Sequence, residues 1–245
     1  EVLVFKRNVD INNINEKFST TPLSVNTQNS ISMLNTFSAD DCVKYEPCVH
    51  KKNPVVINKS YFNEKNNGFE YLDSSHLQMV KQRQKLHAHA SFTPVLHTVW
   101  RMPVESRAKA KPIHLFAGTN YASTTNNQQN DDTSTLAAAI DKWAIDGNFK
   151  IFLDHYLFID SQLIVRQQTT TDVPVEQSNN DAAVISSENG VELMDVNNES
   201  AYIETKKETI IAEILFDQNR RLRSEEIHYL DHPMMGILVQ IRKIK

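Results

Sequence analysis

The apolar residues of this 245-residue chain come in runs no longer than a β-strand, and the clearest runs alternate with a period of two. Between Ile145 and Leu153, the side chains of Phe149, Ile151 and Leu153 share one face. Between His155 and Val165, Leu157, Ile159, Leu163 and Val165 share another. Asp154 stands between the two segments, so the pair reads as a β-hairpin. Further strands are expected over Val2 to Lys6, Val95 to Arg101, Ile113 to Phe116, Glu208 to Phe216, Leu222 to Tyr229 and Met235 to Ile244. Turns fall at Gln218-Asn219 and at Asp231-His232-Pro233, and Gly236 marks a bulge or a close backbone approach. Such closely spaced strands pair antiparallel.

One helix is expected from Ser75 to near Ala90, ahead of Pro94. Ser75 and Gln78 fit a capping box, and Leu77, Val80 and Leu86 give it a partial apolar face. Leu136, Ile140 and Trp143 suggest a second helix over Leu136 to Trp143. The expected class is therefore α+β: mainly antiparallel sheet with one or two helices and long polar loops. The opening strand, the helix and the strands after it would fit the start of a ferredoxin-like split βαβ motif.

Charge is unevenly spread. Residues 168–204 hold eight acidic residues and no Lys or Arg, so the net charge of −4 minus this −8 leaves +4 on the rest. We read a single domain over 1–245 in which 168–204 is an acidic insert. The insert has too few large apolar residues to offset ordering entropy and is expected to be mobile. No apolar run reaches the roughly 20 residues that span a bilayer. The chain opens on Val2-Leu3-Val4-Phe5 without an initiator Met, which fits a mature chain after signal removal, or a trimmed one. Cys42 and Cys48 could form one local disulfide in an oxidising compartment, stay free, or make half a metal site.

Catalytic patterns are thin. His-Glu-x-x-His, Gly-x-Ser-x-Gly, the P-loop and the dinucleotide glycine pattern are all absent. Ser106 and Lys109 match Ser-x-x-Lys, but the Lys-Thr-Gly that accompanies it in penicillin-binding enzymes is missing. His228, Asp231 and His232 suit a turn before Pro233 better than a metal or sugar site. No cofactor, metal or catalytic residue is expected.

Two basic groups remain: Arg220, Arg221 and Arg223, and Arg101, Arg107, Lys109 and Lys111. Charges of this kind can simply guard sheet edges. They can also hold carboxylates, which guanidinium groups grip bidentately. Trp100, Tyr156 and Tyr229 lie in nearby segments, and aromatic faces beside polar groups suit a sugar–peptide polymer. A pI near 6.2 weighs against nucleic acid.

Several segments together resemble the CsiV family. Glu1-Val-Leu-Val-Phe-Lys-Arg7 resembles its first strand, and Thr93 to Val104 carries its Leu-His-x-x-Trp-Arg-x-Pro-Val pattern. Asp146 to Asp160 is similar to its paired central strands, with Phe158 where the family often has His. Arg220 to Gly236 is the strongest match, resembling the family's closing signature. The resemblance implies an exported gammaproteobacterial protein of the periplasm that binds peptidoglycan without being an enzyme. It further implies support for a class A penicillin-binding protein through that enzyme's outer-membrane lipoprotein activator. The residues that would meet the polymer are Trp100, Arg101, Tyr156, Arg220, Arg221, Arg223, His228 and Tyr229. A bland reading competes, in which these residues close a hairpin and pack a core. A protein–protein adaptor without peptidoglycan contact is the alternative function.

Overall fold

The computed structural model describes residues 1–11, 14, 23–32, 53–57, 68–122, 141–174 and 205–244. Cys42, Cys48 and residues 136–140 of the second expected helix lie outside the described residues. The chain divides into two compact units, 1–167 with 211–245, and 168–210.

Eleven strands carry the described fold: β1 Val2–Arg7, β2 Ile31–Ser32, β3 Glu70–Tyr71, β4 Phe92–Thr98, β5 Trp100–Arg101, β6 Ile113–Asn120, β7 Trp143–Asp154, β8 Tyr156–Pro174, β9 Thr205–Leu222, β10 Ile227–His232 and β11 Met235–Gln240. One α-helix, α1, spans Val80–Ala88. A four-stranded sheet has the order β10-β11-β1-β4, with every pair antiparallel. A five-stranded sheet has the order β2-β6-β7-β8-β9, in which β2 and β6 are parallel and β6-β7 and β7-β8 antiparallel. Among the described residues the protein is thus mainly β.

The first unit buries one core between the two sheets. Val2, Val4, Leu96, Ile237 and Val239 come from the first sheet, and Ile113, Leu115, Ile145, Phe149, Ile159 and Leu163 from the second. β1 is apolar on both faces because it is central: Val2 and Val4 enter the core, while Leu3 and Phe5 are buried as well. Phe5 stacks on Tyr229 with ring centroids 6.2 Å apart and meets Phe92 edge-on at 5.4 Å. Gly236, the cross-strand partner of Phe5, permits that stack. A Cβ there would lie 2.4 Å from Phe5 Cζ and 2.7 Å from Tyr229 Cε2, so Gly236 is a close approach rather than a bulge.

Several expectations change. β4 lies directly beside β1 and antiparallel to it, whereas a split βαβ unit has parallel strands with one between them. The helix does not begin at a Ser75–Gln78 capping box. Asp73 instead accepts from Ser75 N at 3.0 Å and caps a 3₁₀ turn over Ser74–His76. α1 starts at Val80, because the amides of Gln78 and Met79 donate to the distant Glu1 carboxylate at 2.8–3.0 Å. No α1 residue is buried; Leu77 and Met79, just before it, are. Pro94 sits inside β4, which stands at the sheet's end, where a missing N–H is tolerated.

Trp143 begins β7 instead of ending a helix. The hairpin turns at His155, in a left-handed conformation with φ 54°, one residue beyond the expected Asp154. β8 extends through residues 168–174, and 175–204 lie outside the described residues. No turn interrupts Gln218-Asn219. β9 runs to Leu222, since the Gln218 carbonyl accepts from Ser161 Oγ at 3.1 Å and the Gln218 side chain donates to Asp231 O at 2.8 Å. Among the described residues, no helix is long and apolar enough to cross a membrane.

Candidate functional site

The β7–β8 hairpin turns Phe149, Ile151 and Ile159 into the core, so period two sends Lys150, Phe152, Phe158 and Asp160 to the opposite face. The register places Lys150 opposite Asp160, Phe152 opposite Phe158 and Asp154 opposite Tyr156. Phe152 and Phe158 stack with centroids 5.4 Å apart and planes inclined by 13°. This is the favourable offset geometry of a cross-strand aromatic pair.

Cations gather on these rings. Arg107 Cζ lies 5.3 Å from the Phe152 centroid, and Lys150 Nζ lies 6.0 Å from it. Their stems explain why Phe152 is only 2% exposed on an outward face. The loop that carries Arg107 is pinned to the hairpin, with Leu153 N donating to Glu105 O at 2.9 Å and Ser106 bridging Leu153. Arg107 also faces Asp160 at 3.8 Å. From the end of β9, Arg221 Cζ lies 4.6 Å from the Tyr156 centroid, and that ring is 57% exposed. The result is one open aromatic ring, Tyr156, beside a covered Phe152–Phe158 stack, edged by Arg107, Lys150 and Arg221. The Tyr156 ring can stack on the apolar face of a sugar, and the guanidinium groups can pair with carboxylates.

The other end of the same sheet face is closed. Arg166 donates to Glu213 at 2.7 Å and to Trp143 O at 3.0 Å, and lies 3.4 Å from Asp146, which pairs with His114 at 2.7 Å. Leu23 N donates to Glu213 at 2.6 Å, and Ser30 Oγ to Asn148 at 2.6 Å, so residues 23–30 cover this network.

The remaining expected site residues are dispersed. Arg220 and Arg223 are exposed beside Arg221, with Arg223 3.8 Å from Glu226. His228 Nε2 lies 3.0 Å from both the N and the O of Arg223, so its ring ties the β9–β10 turn. Tyr229 lies on the four-stranded sheet. Its hydroxyl accepts from Arg7 at 2.7 Å and donates to Asp231 at 2.5 Å, and Arg7 also pairs with Asp231. The Tyr229 hydrogen bond raises the Arg7 pKa; burial first and donation to Asp231 second raise that of the phenol. Trp100 is 9% exposed, stacks on Phe69 at 6.1 Å and donates to Met102 Sδ at 3.2 Å, so it is a core residue. Arg101 is exposed opposite Glu70.

The fold thus brings together Tyr156 and Arg221 and adds Arg107, Lys150, Phe152 and Phe158. Two aromatic residues at outward positions of a two-faced hairpin were the available signal for the last two. Among the described residues, no group of three or more His, Cys, Asp or Glu could hold a metal ion. Ser106 sits in a turn where its carbonyl accepts from the amides of Lys109 and Ala110.

A family model described as peptidoglycan-binding protein, CsiV, matches residues 1–244. Neither the curated proteins nor the solved structures hold a match.

Proposed function

We propose, since the chain belongs to the CsiV family of peptidoglycan-binding proteins, that it holds peptidoglycan on the platform of Tyr156, Arg221 and Arg107, which the Phe152–Phe158 stack supports from beneath. The observation that carries this reading is the exposed Tyr156 ring under Arg221. An exposed aromatic face beside a fixed guanidinium matches a polymer of sugar rings and carboxylate-bearing peptides. Binding requires no reaction, and the protein is read as an accessory rather than an enzyme. Its place is the periplasm, where it would support a class A penicillin-binding protein through an outer-membrane lipoprotein activator.

A pull-down with purified sacculi tests the platform. The intact chain is expected to sediment with sacculi, less so at high salt, since exposed charge contacts are screened. The variant Y156A/R221A is expected to bind sacculi at least about fivefold more weakly while keeping its thermal midpoint. Equal binding by both would remove the platform from the contact.

One observation favours the adaptor reading. Among the described residues β9 ends the five-stranded sheet, and it exposes Leu215 by 45%; a sheet edge of this kind can accept a partner strand. Absence of sacculus binding by the intact chain would put that reading first.

A further inference from the structure

Behind the loop that carries Arg107 lies a cleft of about 230 Å³. Its floor is apolar, formed by Phe69, Met102 and Ile31, and its rim holds Glu105, Lys109 and Lys111. The loop is held on both sides. Ser106 bridges Leu153 of the hairpin, and on the cleft side Gly68 packs under Pro103, where an added Cβ would lie 3.2 Å from Pro103 Cδ. The three rim residues are exposed and form no ion pair with one another or with another described residue. The rim therefore offers two ammonium groups and one carboxylate over a hydrophobic floor. Pockets that enclose whole drug-sized ligands measure roughly 300–1,000 Å³, so this cleft suits one end of a ligand and not a saccharide chain.

We propose that this cleft takes the peptide stem of the polymer, a short peptide bearing carboxylates and a primary ammonium, while the platform across the same loop meets the glycan. The inference rests on the peptidoglycan reading above. Lys109 and Lys111 pair with the stem carboxylates, Glu105 with its ammonium, and the alkyl parts lie on Phe69 and Met102. The mixed rim sign is what separates this site from a general anion patch: Glu105 favours a ligand that also carries an ammonium over one bearing only carboxylates. One loop then sets the spacing between sugar and peptide contacts.

The test uses the full chain and three soluble fragments, a disaccharide–tetrapeptide, the same fragment with its stem ammonium acetylated, and the disaccharide freed of its peptide, titrated calorimetrically beside a sacculus pull-down. K109A/K111A is expected to weaken the peptide-bearing fragment tenfold or more and to leave the bare disaccharide unchanged. E105Q is expected to abolish the preference for a free over an acetylated stem ammonium. Equal weakening of the peptide-bearing fragment and the bare disaccharide, or no change in either, overturns the cleft assignment. So does sacculus binding by the intact chain without any preference for the peptide-bearing fragment. Failure of the intact chain to bind sacculi at all would instead overturn the peptidoglycan reading on which the assignment stands.

Discussion

Arg221 on β9 places its guanidinium carbon 4.6 Å from the ring centroid of Tyr156 at the start of β8. Neither residue is covered, so the pair is held by the two strands that present it. Exposed cation–aromatic contacts contribute only about 0.5–1 kcal/mol, which is too little to explain the arrangement as a stability device.

That pairing gives the first prediction. Y156A and R221A are each expected to weaken sacculus binding about fivefold or more, and the double variant little further. Unfolding free energies should move by no more than about 1 kcal/mol, the size of the lost contact. A double-mutant cycle in the sedimentation assay checks this; independent, additive losses would show that the two residues act separately.

Glu1 supplies a pH dependence. Its carboxylate is fully buried and accepts from His97 Nε2 at 2.8 Å, from the Gln78 and Met79 amides and from Arg242 at 3.1 Å. Burial opposes its charge, but the bonds from His97, Met79 and Gln78 outweigh it and bring the pKa from 4.5 down to about 2. A carboxyl with a depressed folded pKa stabilises the fold fully above its unfolded value and loses that contribution as pH falls through the folded one. Stability is therefore expected to fall between about pH 4.5 and 2, by up to roughly 3 kcal/mol. Glu1→Gln should lower stability near neutral pH and flatten this acid limb; urea unfolding across the range measures both.

Arg166 is buried between Glu213 and Asp146. Arg166→Ala removes the guanidinium that both carboxylates share, leaving Asp146 to His114 and Glu213 to the Leu23 amide, and is expected to cost about 3 kcal/mol. Arg166→Leu with Glu213→Leu should recover much of that loss. Chemical denaturation of the single and double variants checks it, and a double variant no better than the single would mean that packing, not charge, holds this corner.

Gly147 has φ 147°, and a Cβ there would lie 2.2 Å from Gln162 O on the neighbouring strand. Backbone cannot yield as a side-chain tip can. Gly147→Ala is expected to destabilise the first unit by more than about 2 kcal/mol, through strain and the loss of ladder bonds. A thermal midpoint within a degree or two of the parent would contradict that.

Period and turn chemistry, which are local, made much of the fold legible in the sequence. The alternation of Phe149 and Ile151 against Ile159 and Leu163 gave the central hairpin and its inward face. Val2 to Phe5 read as a strand, and Pro233 closed a turn. The same alternation already fixed Phe152 and Phe158 as outward aromatics. What the sequence by itself determined is therefore which residues form strands and which face each presents. Only the tertiary structure decided who meets whom. Glu1 occupies the amides before α1, so the helix begins at Val80 and not at Ser75. Trp100 joins the core, and Tyr229 pairs with Arg7 and Asp231. Arg107 and Arg221 reach the hairpin from a loop and from another strand. Those contacts depend on strand order and register, which link residues far apart in the chain, and no local pattern of charge or hydrophobicity encodes them.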